Sequence, residues 1–349
     1  VRDRILVAHP FDPERLELVG DPVPVAEGIQ YSPGTFIGVF STSRNGVLVY
    51  RLGEEEAERP LEWLAADGAP LGTVGRPGNY EGGSLSPDGQ KLAVAIRDPA
   101  AGTTDIWIID LRRNVPSRFT FGAADEIFPV WSPDGSQVAF ATLNDGVYDI
   151  FVKAASGEGE RSLIGTSKLH KFATDWSPDG GHIALTTFDP QAKMAQARWT
   201  LDVDDGSLEP VHEVGFDERG GRFSPDGRWI AYESRESGRW EVYIAPFPGP
   251  GGKWQVSTDG GESAFWSRGG DQLYFSRGDA LLVADVTARG ESLEIGSPRK
   301  LFEDPSIDFV VPNPTGKRFI VGRAGEETRN EPITVVTDWT ARLRRPDAR

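Results

Sequence analysis

The sequence predicts an all-β protein built as a β-propeller of four-stranded blades. Three observations carry that prediction: a repeat of about 45 residues, a turn motif that recurs once per repeat, and short apolar runs with no amphipathic helical period. The motif is Ser-Pro-Asp-Gly. It is complete at Ser86–Gly89, Ser132–Gly135, Ser177–Gly180 and Ser224–Gly227, and degenerate at Ser43–Gly46, Ser267–Gly270 and Asn313–Gly316. Successive motifs lie 43 to 47 residues apart, the period of a propeller blade.

Each element of the motif has a mechanical reading. Proline presets φ for the second turn position. Aspartate suits the next position and can accept bonds from nearby backbone N–H groups. Glycine supplies the positive φ that closes a hairpin with a bulge. The recurring aspartates are therefore read as turn residues, not as metal ligands or catalysts. Around the corner of the second complete copy, residues 126–131 form a first strand, 137–142 a second buried on both faces, 148–153 a third and 161–164 a fourth. The third strand has counterparts in Asp105-Ile106-Trp107-Ile108 and Glu241-Val242-Tyr243-Ile244. Met194 to Leu201 stands where that pattern is expected in another repeat and departs from it. An aromatic residue precedes the serine in four copies (Trp131, Trp176, Phe223, Trp266) and is expected to pack between adjacent blades.

Seven corners suggest seven blades, with six or eight left open. The blades fall near 30–75, 79–120, 126–165, 171–213, 219–257 and 262–304, and the last is a composite of 307–339 with 4–27. That composite would join the N- and C-terminal strands and remove exposed sheet edges. Pro332 to Val336 also reads as a strand and competes for a place in it. The Pro-rich Pro246–Gly252 lies inside a repeat, so 1–349 is read as a single domain.

Composition narrows the function. The 349 residues are 38% hydrophobic and 26% charged, as in a globular protein, and 41 Gly with 26 Pro suit many turns. The net charge of −16 disfavours nucleic acid and anionic membrane surfaces as partners. With no cysteine, disulfides, thiolate nucleophiles and Cys-zinc sites are excluded. No run is long enough to span a membrane, and no signal peptide is expected at the start, which is Val1.

Sequences of this kind are specific beyond the corner motif. AHPFDPERLELVGDPVPVAEG, TVGRPGNYEGGSLSPDG, Thr104-Asp105-Ile106-Trp107, RFTFGAADEIFPVWSPDG, TDWSPDG, GRFSPDGRWIAYESRESGRWEVYIAPFPGPGGKWQVST and PITVVTDWTARL run through nearly the whole chain. Together they resemble the TolB-like, WD-repeat-like propeller found C-terminal to a transmembrane segment in bacterial receptor-type serine/threonine protein kinases. The resemblance implies an extracytoplasmic propeller tethered to an intracellular kinase. The kinase is not in this chain: Val94-Ala95-Ile96-Arg97 mimics its ATP-lysine strand but carries Arg, and no HRD, DFG or glycine-rich phosphate loop accompanies it.

No catalytic residue is assigned. His9, His170, His182 and His212 form no HExxH or HxH pair. There is no G-x-S-x-G elbow or phosphate loop, and Asp202–Gly206 is out of register for a calcium loop. What remains is the geometry of a propeller, in which the loops leading into the first strands share one face and surround the channel mouth. On that mouth the sequence places Tyr80, Glu81, Glu126, Phe128, His170, Lys171, Arg219 and Glu262 as candidate ligand-binding residues. The expected occupant is a protein, a peptide or a small polar ligand. No cofactor or metal is assigned, although the acids Glu81 and Glu126 make calcium conceivable. The first reading is thus a non-catalytic binding propeller, a sensor or scaffold. The alternative is an enzyme: a metal-dependent, lactonase-like propeller hydrolase, or the propeller portion of a prolyl-oligopeptidase-type peptidase.

Overall fold

The computed structural model describes residues 5–29, 31–32, 37–43, 45–52, 58–98, 101–189, 196–211, 215–249, 251–313, 315–323 and 333–340. The chain divides into two compact units, where the sequence reading has one: Val1–Ala57 with Ala324–Arg349, and Glu58–Arg323.

Described strands of the larger unit form six antiparallel sheets of four principal strands each, two of them continuous through a shared strand and one carrying an additional strand, Ser292–Ile295. Sheet two takes Glu126–Trp131, Gln137–Asn144, Val147–Ala154 and Ser162–Ile164 in chain order. Sheet three takes His170–Trp176, His182–Phe188, Gln196–Asp202 and Leu208–Pro210, and sheet four Glu218–Phe223, Trp229–Ser234, Glu241–Pro246 and Trp254–Gln255. In sheet five, Glu262–Trp266, Gln272–Arg277 and Ala280–Arg289 are followed by Arg299–Glu303, which pairs with the first half of the long third strand. Pro70–Leu85 is shared. Its second half opens sheet one, ahead of Lys91–Asp98, Thr103–Asp110 and Val115–Arg118, and its first half is the outer strand of sheet six.

Sheet six is where the structure departs from the expected pairing of the chain ends. Its strands are Ile307–Val311, Arg318–Arg323, Arg59–Ala65 and the start of Pro70–Leu85, with Phe319 opposite Leu64 and Val321 opposite Glu62. Residues 59–75, assigned from sequence to the blade near 30–75, thus complete the blade begun by 307–323; the described residues of 4–27 take no part in it. The physical reason is burial. Leu61 and Leu64 lie on opposite faces of Arg59–Ala65 and are both fully buried, as are Phe319, Ile320 and Val321 on their partner. Arg323 fixes the register by pairing with both Glu62 (2.8 Å) and Asp304 (2.7 Å).

The core is a circular series of shared clusters. Ala93, Ile106, Trp131 and Phe140 join sheets one and two, and Ile150, Ala173, Trp176 and Ile183 join two and three. Ala184 and Phe223 join three and four, and Val242, Ile244, Trp266 and Phe275 join four and five. Phe265, Tyr274, Leu64 and Phe319 join five and six, and Leu61, Val74, Ile320 and Val94 return from six to one. The aromatics before the corner serines sit between sheets as the repeat predicts. Trp131 Nε1 donates to the Ser84 carbonyl of the preceding sheet at 3.0 Å, and Trp266 Nε1 to that of Arg222 at 2.9 Å.

The corners form as their residue types require. Ser132 Oγ donates to Asp134 Oδ1 at 2.6 Å and accepts from the Gln137 N–H at 2.9 Å. The Ser136 N–H donates to Asp134, and Gly135, at φ +72°, returns its N–H to the Ser132 carbonyl. These bonds, the Ser132 hydroxyl foremost, hold the Asp134 carboxyl down at about 2. Successive corners touch: a Cβ added to Gly135 would lie 3.6 Å from Pro87, and one on Gly180 3.8 Å from Pro133.

In the smaller unit, Leu6–Ala8 pairs with Val23–Ala26, Phe11–Asp12 with Glu17–Leu18 and Tyr31–Ser32 with Ile37–Gly38. Phe40–Thr42, Leu48–Arg51 and Ile333–Val336 make a three-stranded sheet. The strand read at Pro332–Val336 is therefore real from Ile333 onward, and its partner is Leu48–Arg51. Leu6, Val25, Ile29 and Leu48 form this unit's buried cluster. No helix among the described residues is long and apolar enough to cross a membrane.

Candidate functional site: the channel mouth

The first strands of sheets one to five run side by side in sequence order. Each carries a bulge three to five residues before its corner serine. In four of them the same bulge position has a left-handed backbone: Gly82 (φ +96°), Phe128 (φ +54°), Gly220 (φ +68°) and Ser263 (φ +54°). Glycine adopts this conformation without penalty. Phenylalanine does not; strain of this kind costs about 1–3 kcal/mol and must be held by its surroundings. Phe128 nonetheless leaves 38% of its surface exposed. Its ring meets Phe172 edge-on at 5.4 Å, and Phe172 meets Tyr148 at 5.5 Å. Tyr148 in turn lies 5.9 Å from His170, whose other neighbour is Phe188 at 6.0 Å. His170 Nδ1 accepts from the Tyr148 N–H at 3.1 Å, and burial lowers its pKa. That donor fixes the neutral ring with its proton on the other nitrogen.

Two predicted mouth residues, Lys171 and Glu126, are not displayed at the surface. Both stand six residues before a corner serine, in the first two residues of a first strand. Lys171 is fully buried, pairs with Asp149 at 2.7 Å, and donates to Ser167 Oγ and the Leu169 carbonyl. Glu126 is 1% exposed and pairs with Arg161. Burial raises its pKa against the opposing pull of Thr120 and Arg161. Both residues join neighbouring elements and present no charge to a ligand in this arrangement.

Arg219 and Glu262 do meet. Arg219 donates to Glu262 at 2.5 Å and to Glu233 at 2.7 Å, with its guanidinium 4.2 Å above the Trp240 ring. Glu81 accepts from Thr104 Oγ1 at 3.2 Å. Tyr80 turns toward sheet six, where its hydroxyl donates to the Arg76 carbonyl at 2.5 Å. The eight candidates therefore fall into an aromatic group (Phe128, His170), an ionic group (Arg219, Glu262), two buried pairs, and Tyr80 and Glu81 on sheet one. Sequence reasoning missed Tyr148 and Phe188 because they belong to second and third strands. The pairing of strand ends brings them to the same face.

Other apolar residues are exposed on connections of this face. Phe121 (70% exposed) and Phe216 (44%) lie in loops leading into first strands, and Leu143 (46%) lies at the turn between second and third strands. Among the described residues no group of three or more His, Asp or Glu side chains is close enough together to hold a metal ion. His212 lies outside the described residues.

Circularly arranged four-stranded sheets with a Ser-Pro-Asp-Gly corner define a WD-repeat-like β-propeller. More narrowly, the chain belongs to the TolB beta propeller domain family, which it matches over residues 72–198 and 127–336. It is 27% identical over 168 residues to the Tol-Pal system protein TolB of Francisella tularensis subsp. tularensis, a match covering 47% of this chain and 38% of that protein. It is 27% identical over 190 residues to an uncharacterized peptidase, YuxL, of Bacillus subtilis, covering 49% of this chain and 28% of the other. The chain thus spans well under half the length of either relative. Among solved structures, one described as TolB from Agrobacterium tumefaciens superposes with a TM-score of 0.61 at 20% identity, over 77% of this chain and 99% of that one.

Proposed function

We propose that this propeller binds a protein or peptide on the face of its first-strand loops, performs no chemistry itself, and serves as the extracytoplasmic sensor or scaffold portion of a receptor-type serine/threonine kinase. The observation that carries the binding role is Phe128: a bulky ring kept in a strained backbone and left partly exposed. It rests on the aromatic group of Tyr148, His170 and Phe172, with Phe121, Leu143 and Phe216 exposed on the same face. Strain retained at a surface position and apolar groups rimmed by charge are features of binding faces, and aromatic anchors dominate protein interfaces. The kinase attachment is supported by the sequence resemblance. In such a receptor, a partner would act by binding more tightly to one arrangement of the attached kinase than to another.

The test is autophosphorylation of the intact receptor, compared with a form lacking residues 58–323 and with Phe128→Ser. Both changes are expected to alter its response to cell-envelope extract. A receptor indifferent to both would overturn the proposal. Calorimetric titration with calcium addresses the metal-dependent alternative: tight, saturable binding would replace the sensor reading with an enzymatic one.

A further inference from the structure

Between sheets six and one, a cleft of about 330 Å³ opens beside Tyr80, which the sequence placed at the mouth. Its size is at the lower end of small-molecule sites, roughly 300–1,000 Å³. Tyr80 and the partly buried Trp107 form its apolar wall. Around them stand three arginines, Arg76, Arg97 and Arg118, and three acids, Glu58, Asp98 and Asp105. Asp105 is 3% exposed. Its Oδ2 accepts from Arg118 at 2.6 Å, while its buried Oδ1 has no hydrogen-bond partner among the described residues. A buried acceptor left without a donor is destabilising, so a ligand that donates to it gains affinity at this position. The guanidinium of Arg76 lies 5.2 Å from the centre of the Trp107 ring and is otherwise exposed.

The balance of charge selects the ligand class. A cation would meet three arginines and an anion three carboxylates. A neutral molecule that both donates and accepts hydrogen bonds, and has one apolar face to lay on an indole, meets the wall and its rim together. We propose that this cleft is a binding site for a neutral saccharide, with Trp107 as the stacking platform and Asp105, Arg97 and Arg118 as its polar contacts. Arg76 covers the platform in the free protein and is displaced by the sugar ring. This site is separate from the aromatic group at the mouth and does not depend on the function proposed for it.

The experiment is saturation-transfer NMR followed by titration calorimetry with cellobiose, maltose and N-acetylglucosamine, and with sodium galacturonate and spermidine as charged controls. At least one neutral saccharide is expected to bind. Trp107→Leu should weaken it about tenfold, the scale of one lost aromatic contact. Arg76→Ala, an exposed substitution that uncovers the indole, should strengthen it, and this variant decides the matter if Trp107→Leu proves unstable. The proposal is overturned if no neutral saccharide binds, if a charged control binds more tightly than all three, or if Arg76→Ala leaves the affinity unchanged.

Discussion

The boundary between sheets two and three and the boundary between sheets three and four use the same two positions with opposite signs. At the first, the third-strand Asp149 meets Lys171, which begins the next first strand, at 2.7 Å. At the second, the third-strand position is Arg198 and the following first strand begins with Glu218, at 2.8 Å. All four side chains are no more than 3% exposed. Arg198, which looks like a break in the repeat because other copies carry Asp or Glu, is matched by a reversal of its partner. It gains a further contact from the Tyr232 ring, 3.5 Å away. What the repeat preserves here is complementarity across a boundary. The boundary between sheets one and two shows the limit of that rule. Asp105 and Glu126 have the same sign, and the arginines come instead from the fourth strand of sheet one, as Arg118, and from the residue that precedes the fourth strand of sheet two, Arg161.

The comparison can be broken most severely by removing one member of a buried pair. Lys171→Met leaves Asp149 uncompensated and should lower unfolding free energy by about 3–5 kcal/mol in urea titration. The next effect sharpens the equivalence of the two boundaries. Lys171→Glu should be similarly damaging alone, but combined with Asp149→Arg it reproduces the pair of the following boundary. The double variant should recover more than half of the loss, and a purely additive double-mutant cycle would refute the equivalence. Smaller again is Trp131→Phe, which removes the bond to the Ser84 carbonyl and should cost about 1 kcal/mol.

The last effect concerns pH. Asp175, on the first strand of sheet three, is raised to about 6 by burial, against the Arg222 charge and the Phe223 N–H. Between its unfolded value of 3.8 and about 6 the native state therefore binds more protons than the unfolded chain, so this residue makes stability fall as pH rises through that window. Asp175→Asn should flatten the decline, measured as unfolding midpoints from pH 4 to pH 7.

The sequence made local structure legible. Corner bonds, strand order within sheets two to five and the intersheet position of Trp131 follow from turn chemistry and apolar pattern over a few tens of residues. Sheet six was not legible in this way, because Arg59–Ala65 looks like a member of its own repeat until its partner, Arg318–Arg323, is known. The mouth was legible as a set of loops, not as side-chain positions. Lys171 and Glu126 carry charge and so read as exposed. The signal that could have placed Lys171 is its pairing across the boundary, since Asp149 opposes it as Arg198 opposes Glu218; Glu126, opposed by Asp105, carries no such signal. Phe128 gave no local sign of its left-handed backbone; the sign lies in the repeat, where the equivalent residue in two other copies is glycine.

Sheet six also makes the larger unit a guest within its own chain. Its first strand in sequence, Arg59–Ala65, and its last, Arg318–Arg323, are hydrogen-bonded neighbours, so the backbone enters and leaves it through adjacent stems. Such a module tolerates excision and circular permutation: a short linker from residue 323 back to residue 58 would let new termini be opened at any corner. Its final seam also waits for the last segment to be synthesised, so a nascent chain carries an open sheet edge until residue 323 has left the ribosome.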